Sequence, residues 1–430
     1  MGKYLSIIKN CIYFATLKND FSGGDNWGFL SFGIVKKIKK RVFRSPLKYM
    51  IMTHYKIMAL IFLCVLLHGC KKNTSSELIV FDITANYPTK TLDIEDVADI
   101  EYLVLDISND NYLFRYFHAM TDNLFICIAR DQFIFFSRIT GKPVGKLNRY
   151  GAGPGEYGMN TRLPVYCEIE DELFIYDFFE IKVYGMDGTF KRKLPPINNT
   201  FFPWAMYNFD DENLLINGFS LKRGGMRDSS FFLMSKQNGD VDFIHIPFEE
   251  LISIIVSKDD VGTFVNVYPA VHNGKDFLLT DQSSDTVYRL TPERKLIPVL
   301  VRQPSIQTMK SKIFLDSWLE TEKYLFFSAQ SIDIDWNTYQ FPPTKGYLMS
   351  KNTGQFFRTN VQMRDYKGKE LILGPSVIHN CPNSHTGIIV WNVLELHAAN
   401  KENKLSGKLK QATERLTEDD EYIFMILNFK

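Results

Sequence analysis

The first reactive group that the chain offers is a cysteine placed to be acylated. Cys70 follows Leu67, His68 and Gly69. A peptidase cutting before a cysteine needs small residues ahead of the cut, and Gly69 supplies one. The thiol is then the nucleophile that receives a lipid. Other reactive residues are dispersed. Cys127, Cys167 and Cys381 are widely and irregularly spaced, which is no disulfide framework. Cys127 lies in the apolar run Leu124-Phe-Ile-Cys-Ile-Ala129 and reads as a buried thiol, while one disulfide among the three stays open in an oxidising compartment. His272, His379, His385 and His397 are scattered, and a lone histidine is usually a surface or satisfied core residue. There is no His-Glu-x-x-His, no Cys-x-x-Cys and no Gly-x-Ser-x-Gly elbow. Ser-x-Asp-x-Gly-x-Thr-Trp boxes are absent too, which weakens a glycosidase reading. Carboxylates are many, and sequence cannot pair them for acid–base work. The expectation is no catalytic residue, no metal and no cofactor.

The elements around Cys70 set the compartment. Met52–Lys56 is short and mildly basic, and Ile57–Leu67 is an unbroken apolar run. A spanning helix needs about 20 residues, so the run is short for a transmembrane segment. It suits the h-region of a signal peptide, about 7–15 residues long. Leu-x-Gly-Cys resembles the lipobox of bacterial lipoproteins. Residues 52–69 therefore read as a lipoprotein signal peptide, with lipidation at Cys70. Residues 70–77 read as a polar tether and 78–430 as the exported domain. Residues 1–51 read either as an upstream extension from a start assigned too early, with Met50 or Met52 the true start, or as a cytoplasmic tail. Each buried methylene of a lipid contributes about 0.8 kcal/mol, so two or three chains hold a protein on a membrane without a transmembrane helix. Surface lipoproteins of the bacteria whose lipobox this resembles tend to carry acidic residues just after the cysteine, so by that resemblance Lys71 and Lys72 imply the periplasmic face of the outer membrane rather than the cell surface. Net charge is +1, so no nucleic-acid partner is expected.

The exported domain is strand-rich and repeats itself. Asp122–Asp131, Phe133–Lys142 and Val144–Leu147 form one triplet of strand-like runs. Asp171–Asp177 and Ile181–Leu194 form another. A weaker copy covers Asn273–Asp281, Thr286–Leu290 and Leu296–Leu300. Two more have a stretched middle turn: Asp211–Ile216 resumes at Phe231–Gly239, and Glu322–Phe327 resumes at Gly346–Phe357. Both resume with Leu-Met-Ser-Lys before an Asn and a Gly. Thr386–Asn392 begins a last partial copy. About six units at intervals of about 40–60 residues suit propeller blades. A four-stranded blade has two apolar faces, and radial packing buries both. Leu78–Ile83 and Tyr422–Phe429 are the candidate closing strands, and Glu402–Asp420 reads as an exposed helical appendage. Asp131, Asp177 and Asp281, each at a strand end, read as acceptors for turn amides.

Between the first two triplets lies Gly151-Ala-Gly153-Pro154-Gly155-Glu156-Tyr157. No Gly-Lys-Ser/Thr or helix start follows, so this is no phosphate loop. It reads as a structural bend, with Gly153 expected at positive φ. Gly-x-Gly-Pro-Gly-Glu-Tyr between strand triplets resembles the six-bladed β-propeller lipoproteins of Bacteroidota, which are NHL-like. The resemblance covers about residues 70–430 and implies an all-β, six-bladed propeller of four-stranded antiparallel blades. It implies no enzymatic activity. Two function classes follow. The first is a lipid-anchored binding or scaffold module for a protein, peptide or glycan. The second is a hydrolase or lyase with its site in the central channel. The stretched turns Asn217–Ser230 and Ser328–Lys345 carry the candidate partner-binding residues Arg223, Arg227, Trp336, Tyr339 and Phe341, because aromatic and arginine side chains on loops are common interface anchors.

Overall fold

The computed structural model describes residues 78–430, except 159–161, 178, 197–200, 221–230, 260, 379–380, 382–384 and 418–419. Cys70, Arg223, Arg227 and the signal-peptide and tether segments lie outside the described residues. Three strands open the domain: β1 (Ile79–Asp82), β2 (Thr89–Asp93) and β3 (Ala98–Val104), with the short helix α1 (Ile94–Val97) before the third. The first blade is β4 (Tyr116–Met120), β5 (Leu124–Ile128), β6 (Phe133–Ser137) and β7 (Pro143–Leu147). The second is β8 (Arg162–Cys167), β9 (Glu172–Asp177), β10 (Glu180–Tyr184) and β11 (Phe190–Leu194). The third is β12 (Phe201–Asn208), β13 (Asn213–Ser220), β14 (Phe231–Ser235) and β15 (Val241–Ile244). A hairpin, β16 (Ile255–Lys258) and β17 (Val261–Phe264), precedes the fourth blade. That blade holds β18 (Ala270–Asn273), β19 (Asp276–Leu279), β20 (Thr286–Leu290) and β21 (Leu296–Gln303). The fifth holds β22 (Ile313–Glu320), β23 (Tyr324–Ser331), β24 (Lys345–Ser350) and β25 (Phe356–Gln362), with the short β26 (Glu370–Leu371) on β25. Helix α2 (Pro375–Ile378) leads to the sixth blade, in which β27 (Thr386–Asn392) pairs with β28 (Tyr422–Phe429), and β28 with β3.

Local chemistry explains the blade hairpins. In the first, third and fifth blades the turn runs from a serine to a glycine four residues on. The amides of Gly141, Gly239 and Gly354 donate to the carbonyls of Ser137, Ser235 and Ser350 at 2.8, 2.9 and 2.7 Å. Each glycine has φ between +68° and +79°, which a Cβ would strain. This geometry underlies the repeated Ser-Lys/Arg-x-x-Gly.

Burial then joins the blades pairwise around the ring. Phe125 and Phe136 of blade one pack with Phe424 and Ile426 of blade six. The opposite face of blade one, through Phe133 and Phe135, meets Leu173 and Tyr184 of blade two. Phe174 and Val183 meet Leu214 and Phe232 of blade three, and Leu215 and Phe231 meet Phe277 and Leu290 of blade four. A larger core joins blades four, five and six. Each buried phenylalanine contributes about 1.5–3 kcal/mol relative to exposure, so the ring is held by many independent contacts.

Two expectations change. Closure uses β3, which pairs antiparallel with β28 from Ala98↔Phe429 to Val104↔Ile423. Leu78–Ile83 does not close the ring: β1 instead adds in parallel to β21, Ile79↔Leu300 to Asp82↔Gln303. The reason is Phe81, whose ring sits 4.6 Å from Phe327 and 5.2 Å from Tyr347, so β1 fastens blade four to the aromatics of blade five. β2 adds in parallel to β25 in the same way. The closing blade accordingly has three strands among the described residues. The appendage is mostly exposed as expected, but it is pinned by buried residues, Leu405, Leu409, Thr413 and Leu416. Helices α3 (Val393–Lys401) and α4 (Gly407–Thr413) bury Leu396, Leu405 and Leu409 in the large core beside Trp391. Asn392 caps α3 by accepting from the amides of Leu394 and Glu395.

Candidate functional site

The glycine-rich segment is a folded bend. Glu156 turns back over it, and one carboxylate oxygen accepts from the Gly153 amide at 2.8 Å. A Cβ on Gly151 would lie 1.9 Å from that oxygen, and one on Gly155 would lie 3.1 Å from the Phe190 ring. Close approach therefore selects these glycines. The expected positive φ at Gly153 is not found, because the left-handed glycines of the described chain are elsewhere. Pro154 lies at the turn within this bend. Tyr157 is buried, with its hydroxyl 3.0 Å from the carbonyls of both Asp131 and Leu147, and burial pushes its pKa up to about 12. Lys182 ties the bend to blade two, donating to the Glu156 carbonyl and to Asp177 at 2.7 Å. Asp177 also accepts from the Gly158 amide, and Asp281 accepts from the Ser283 amide at 2.8 Å. Asp131 takes part through its carbonyl.

The stretched turn of blade five is a hairpin that continues β23 and β24. Its tip closes at Asp335 and Gln340, with an amide-to-carbonyl bond of 2.9 Å. Trp336 and Tyr339 meet edge to face at the tip, and Tyr339 is 58% exposed. Phe341, expected as an exposed anchor, instead packs against the cluster of Val265, Val267, Ile306 and Phe314. The three side chains therefore divide into an exposed Tyr339, a half-buried Trp336 against it and a wall residue. The three cysteines are buried and free, so no disulfide forms among them. Burial pushes the Cys167 and Cys381 thiols up to about 11 and 12, which leaves both protonated and unreactive.

First strands of four blades converge on one space of about 270 Å³, lined by His118, Tyr166, Tyr207 and His272 with Cys381. His118 Nε2 lies 2.9 Å from the Pro164 carbonyl, so that nitrogen carries the hydrogen. Both imidazoles touch this space yet have protein around them, and burial holds each pKa down to about 4. Both are neutral at pH 7. An adjoining space of about 300 Å³ shares His118 and Tyr207 with it and reaches Tyr268.

Tyr268 also lines a larger cavity, about 760 Å³, between the face of blade five, residues 265–268 and residues 370–376. Four neighbouring strands build its floor. Asp316 on β22 is in register with Ser328 on β23, Ser328 with Gly346 on β24, and Thr359 on β25 lies beside Gly346. A Cβ on Gly346 would lie 2.3 Å from the Thr359 hydroxyl, so the glycine makes room for that group. Gln330 holds the wall, donating to the Pro342 carbonyl at 2.8 Å and accepting from the Thr344 hydroxyl. Arg358 and Glu370 are exposed at the rim, where Glu370 accepts from Asn360. Asp316 is 5% exposed, and its Oδ1 has no hydrogen-bond partner. Desolvation pushes its pKa up to about 7. Asp316, His118 and Tyr268 are not among the residues expected from sequence to form a site. For Asp316 the signal was present: a carboxylate inside the apolar run Ile313-Phe-Leu-Asp-Ser-Trp-Leu319, where an unpaired charge is costly.

The 6-bladed beta-propeller family pattern matches residues 69–376. The chain belongs to that family. A protein described as exported, from Bacteroides fragilis, has the same fold with a TM-score of 0.55 and 15% identity, covering 82% of this chain and 100% of that one. A Bacteroides caccae protein of unknown function (TM-score 0.30, 11% identity, 59% and 89% covered) and virginiamycin B lyase from Staphylococcus aureus (0.31, 10%, 61% and 73%) are also similar, at a level that carries no argument here. No curated protein sequence matches the chain. Among the described residues, no helix of this propeller is long and apolar enough to cross a membrane.

Proposed function

We propose that this propeller is a lipid-anchored envelope protein that works as a binding module, with its ligand in the cavity of blade five. The carrying observation is that cavity. Its volume of about 760 Å³ falls within the range of about 300–1,000 Å³ usual for ligand sites. Its wall combines Phe341 and Leu373 with neutral hydroxyl and amide groups, the mixture that orients a bound molecule. The anchor reading rests on Cys70 after a short apolar run, and the exported relative is consistent with it. The two lysines after Cys70 support the periplasmic face of the outer membrane.

The test is cross-linking in intact envelopes, comparing wild type with Thr359→Trp, which fills the cavity, and with Trp336→Ala/Tyr339→Ala at the exposed tip. Loss of a cross-linked species from folded Thr359→Trp supports the cavity as the site. Loss only from the tip variant moves recognition to the hairpin, and unchanged recovery from both removes the reading. The neutral imidazoles of His118 and His272 favour a second reading, a channel hydrolase or lyase. Turnover of a glycan or peptide panel, abolished by His118→Gln or His272→Gln, would establish it instead.

A further inference from the structure

We propose that the blade-five cavity binds a neutral carbohydrate, with the Asp316 carboxylate accepting from the sugar's hydroxyl groups. This deepens the binding reading and rests on it. Three observations select the ligand class. First, Asp316 is buried at the cavity floor with Oδ1 unpartnered. Oδ1 itself is enclosed by protein, so a ligand meets the carboxyl at its cavity-facing side, and a carboxyl without a protein donor is relieved by a ligand that brings donors. Second, the row beside Asp316 is short and hydroxylic: Ser328, then the bare backbone of Gly346, then the Thr359 hydroxyl. Such groups both donate and accept, as hydroxyls of a sugar do. Third, the remaining polar wall is mainly neutral, including Tyr268, Asn360 and Ser376, while the charges Arg358 and Glu370 stand at the exposed rim. A phosphate or nucleotide would call for more cationic groups, and a peptide for an open strand edge or apolar subsites. The wall residues Phe341 and Leu373 offer an apolar surface for the carbon face of a ring. No covalent step is involved.

The experiment is calorimetric titration, at pH 8.5 where Asp316 is ionised, of the full-length lipidated protein in a detergent without sugar headgroups. The probes are maltotriose, cellotriose, mannotriose and N-acetylchitotriose, with trigalacturonate and trilysine as charged comparators. At least one neutral trisaccharide is expected to bind. Asp316→Asn, which keeps the shape, should weaken it about ten- to a hundredfold, the size of a hydrogen bond to a charged group. Ser328→Ala should weaken it less, and Gly346→Val should block it; circular dichroism and melting show that each variant is folded. Binding of trilysine in place of the neutral sugars overturns the proposal, as does equal binding by folded Asp316→Asn. If no neutral sugar binds while Thr359→Trp still abolishes envelope cross-linking, the carbohydrate assignment fails and the binding reading stands. If both are negative, both fail. Sugar binding with turnover keeps the carbohydrate and overturns the binding-only reading.

Discussion

Asp316→Asn should change how the stability of the propeller depends on pH. The carboxyl is buried, and desolvation raises its pKa from the ordinary 3.8 to about 7. Below about pH 4 the group is protonated in both folded and unfolded chains. Between about pH 4 and 7 the unfolded chain has released the proton and the folded chain keeps it. The folded state then binds more protons, so its stability falls as pH rises. The fall levels off above about pH 7. Each unit is worth about 1.4 kcal/mol, so a shift of about three units amounts to about 4 kcal/mol. Asparagine occupies the same space and does not titrate. The two histidines act in the opposite sense: His118 and His272 are held near 4, so their contribution grows as pH rises from about 4 to 6.5. They remain in both proteins and cancel in the difference. Tyr268 feels Asp316 electrostatically, and Arg358 and Glu370 stand at the rim; all three are likewise common to both. The assay is urea unfolding of both proteins at half-unit steps from pH 5 to 8.5. Because about two of those units lie above pH 5, the expected result is that Asp316→Asn gains on wild type by about 3 kcal/mol across that range. Parallel curves would refute the argument that the cavity floor desolvates this carboxyl.

Glu156→Ala should lower stability by about 1–2 kcal/mol by removing the acceptor of the Gly153 amide. Gly151→Ala drives a methyl into the same carboxylate, so the double variant should be less destabilised than the sum of the singles in a thermal-melting cycle. Gly239→Ala should cost about 1–3 kcal/mol, because φ is +79° and the added carbon would lie 2.6 Å from Pro195 Cδ; an unchanged melting point counts against the hairpin argument. Cys127, Cys167 and Cys381 should react with iodoacetamide at pH 8 only when urea unfolds the domain, since all three are buried. Cys70→Ala should abolish labelling of the envelope protein by a radioactive fatty acid, and continued labelling would remove the lipidation site.

What sequence discloses here follows the range of the forces involved. Hairpins are local. Their serine-to-glycine turns and alternating strands lie within one run of residues, so Leu233-Met-Ser-Lys236 and Leu348-Met-Ser-Lys351 mark equivalent places in two blades before any fold is known. The glycine-rich bend was legible as a bend for the same reason, but its cause was not. Crowding by Glu156 and Phe190 selects the glycines, and that needs the packed side chains. Closure was misplaced because Leu78–Ile83 and Ala98–Val104 are comparable as strands. What separates them is Phe81 reaching Phe327 and Tyr347, contacts more than two hundred residues apart. The cavity is the extreme case. Asp316, Ser328, Gly346 and Thr359 form one row only because four strands share a register, and nothing in the types of Ser328, Gly346 and Thr359 marks a site. The charge in an apolar run was the visible trace. Folding places that carboxyl on a cavity floor where protein supplies Oδ1 with no partner, and a molecule bearing hydroxyl groups can donate to the side of the group that faces the cavity.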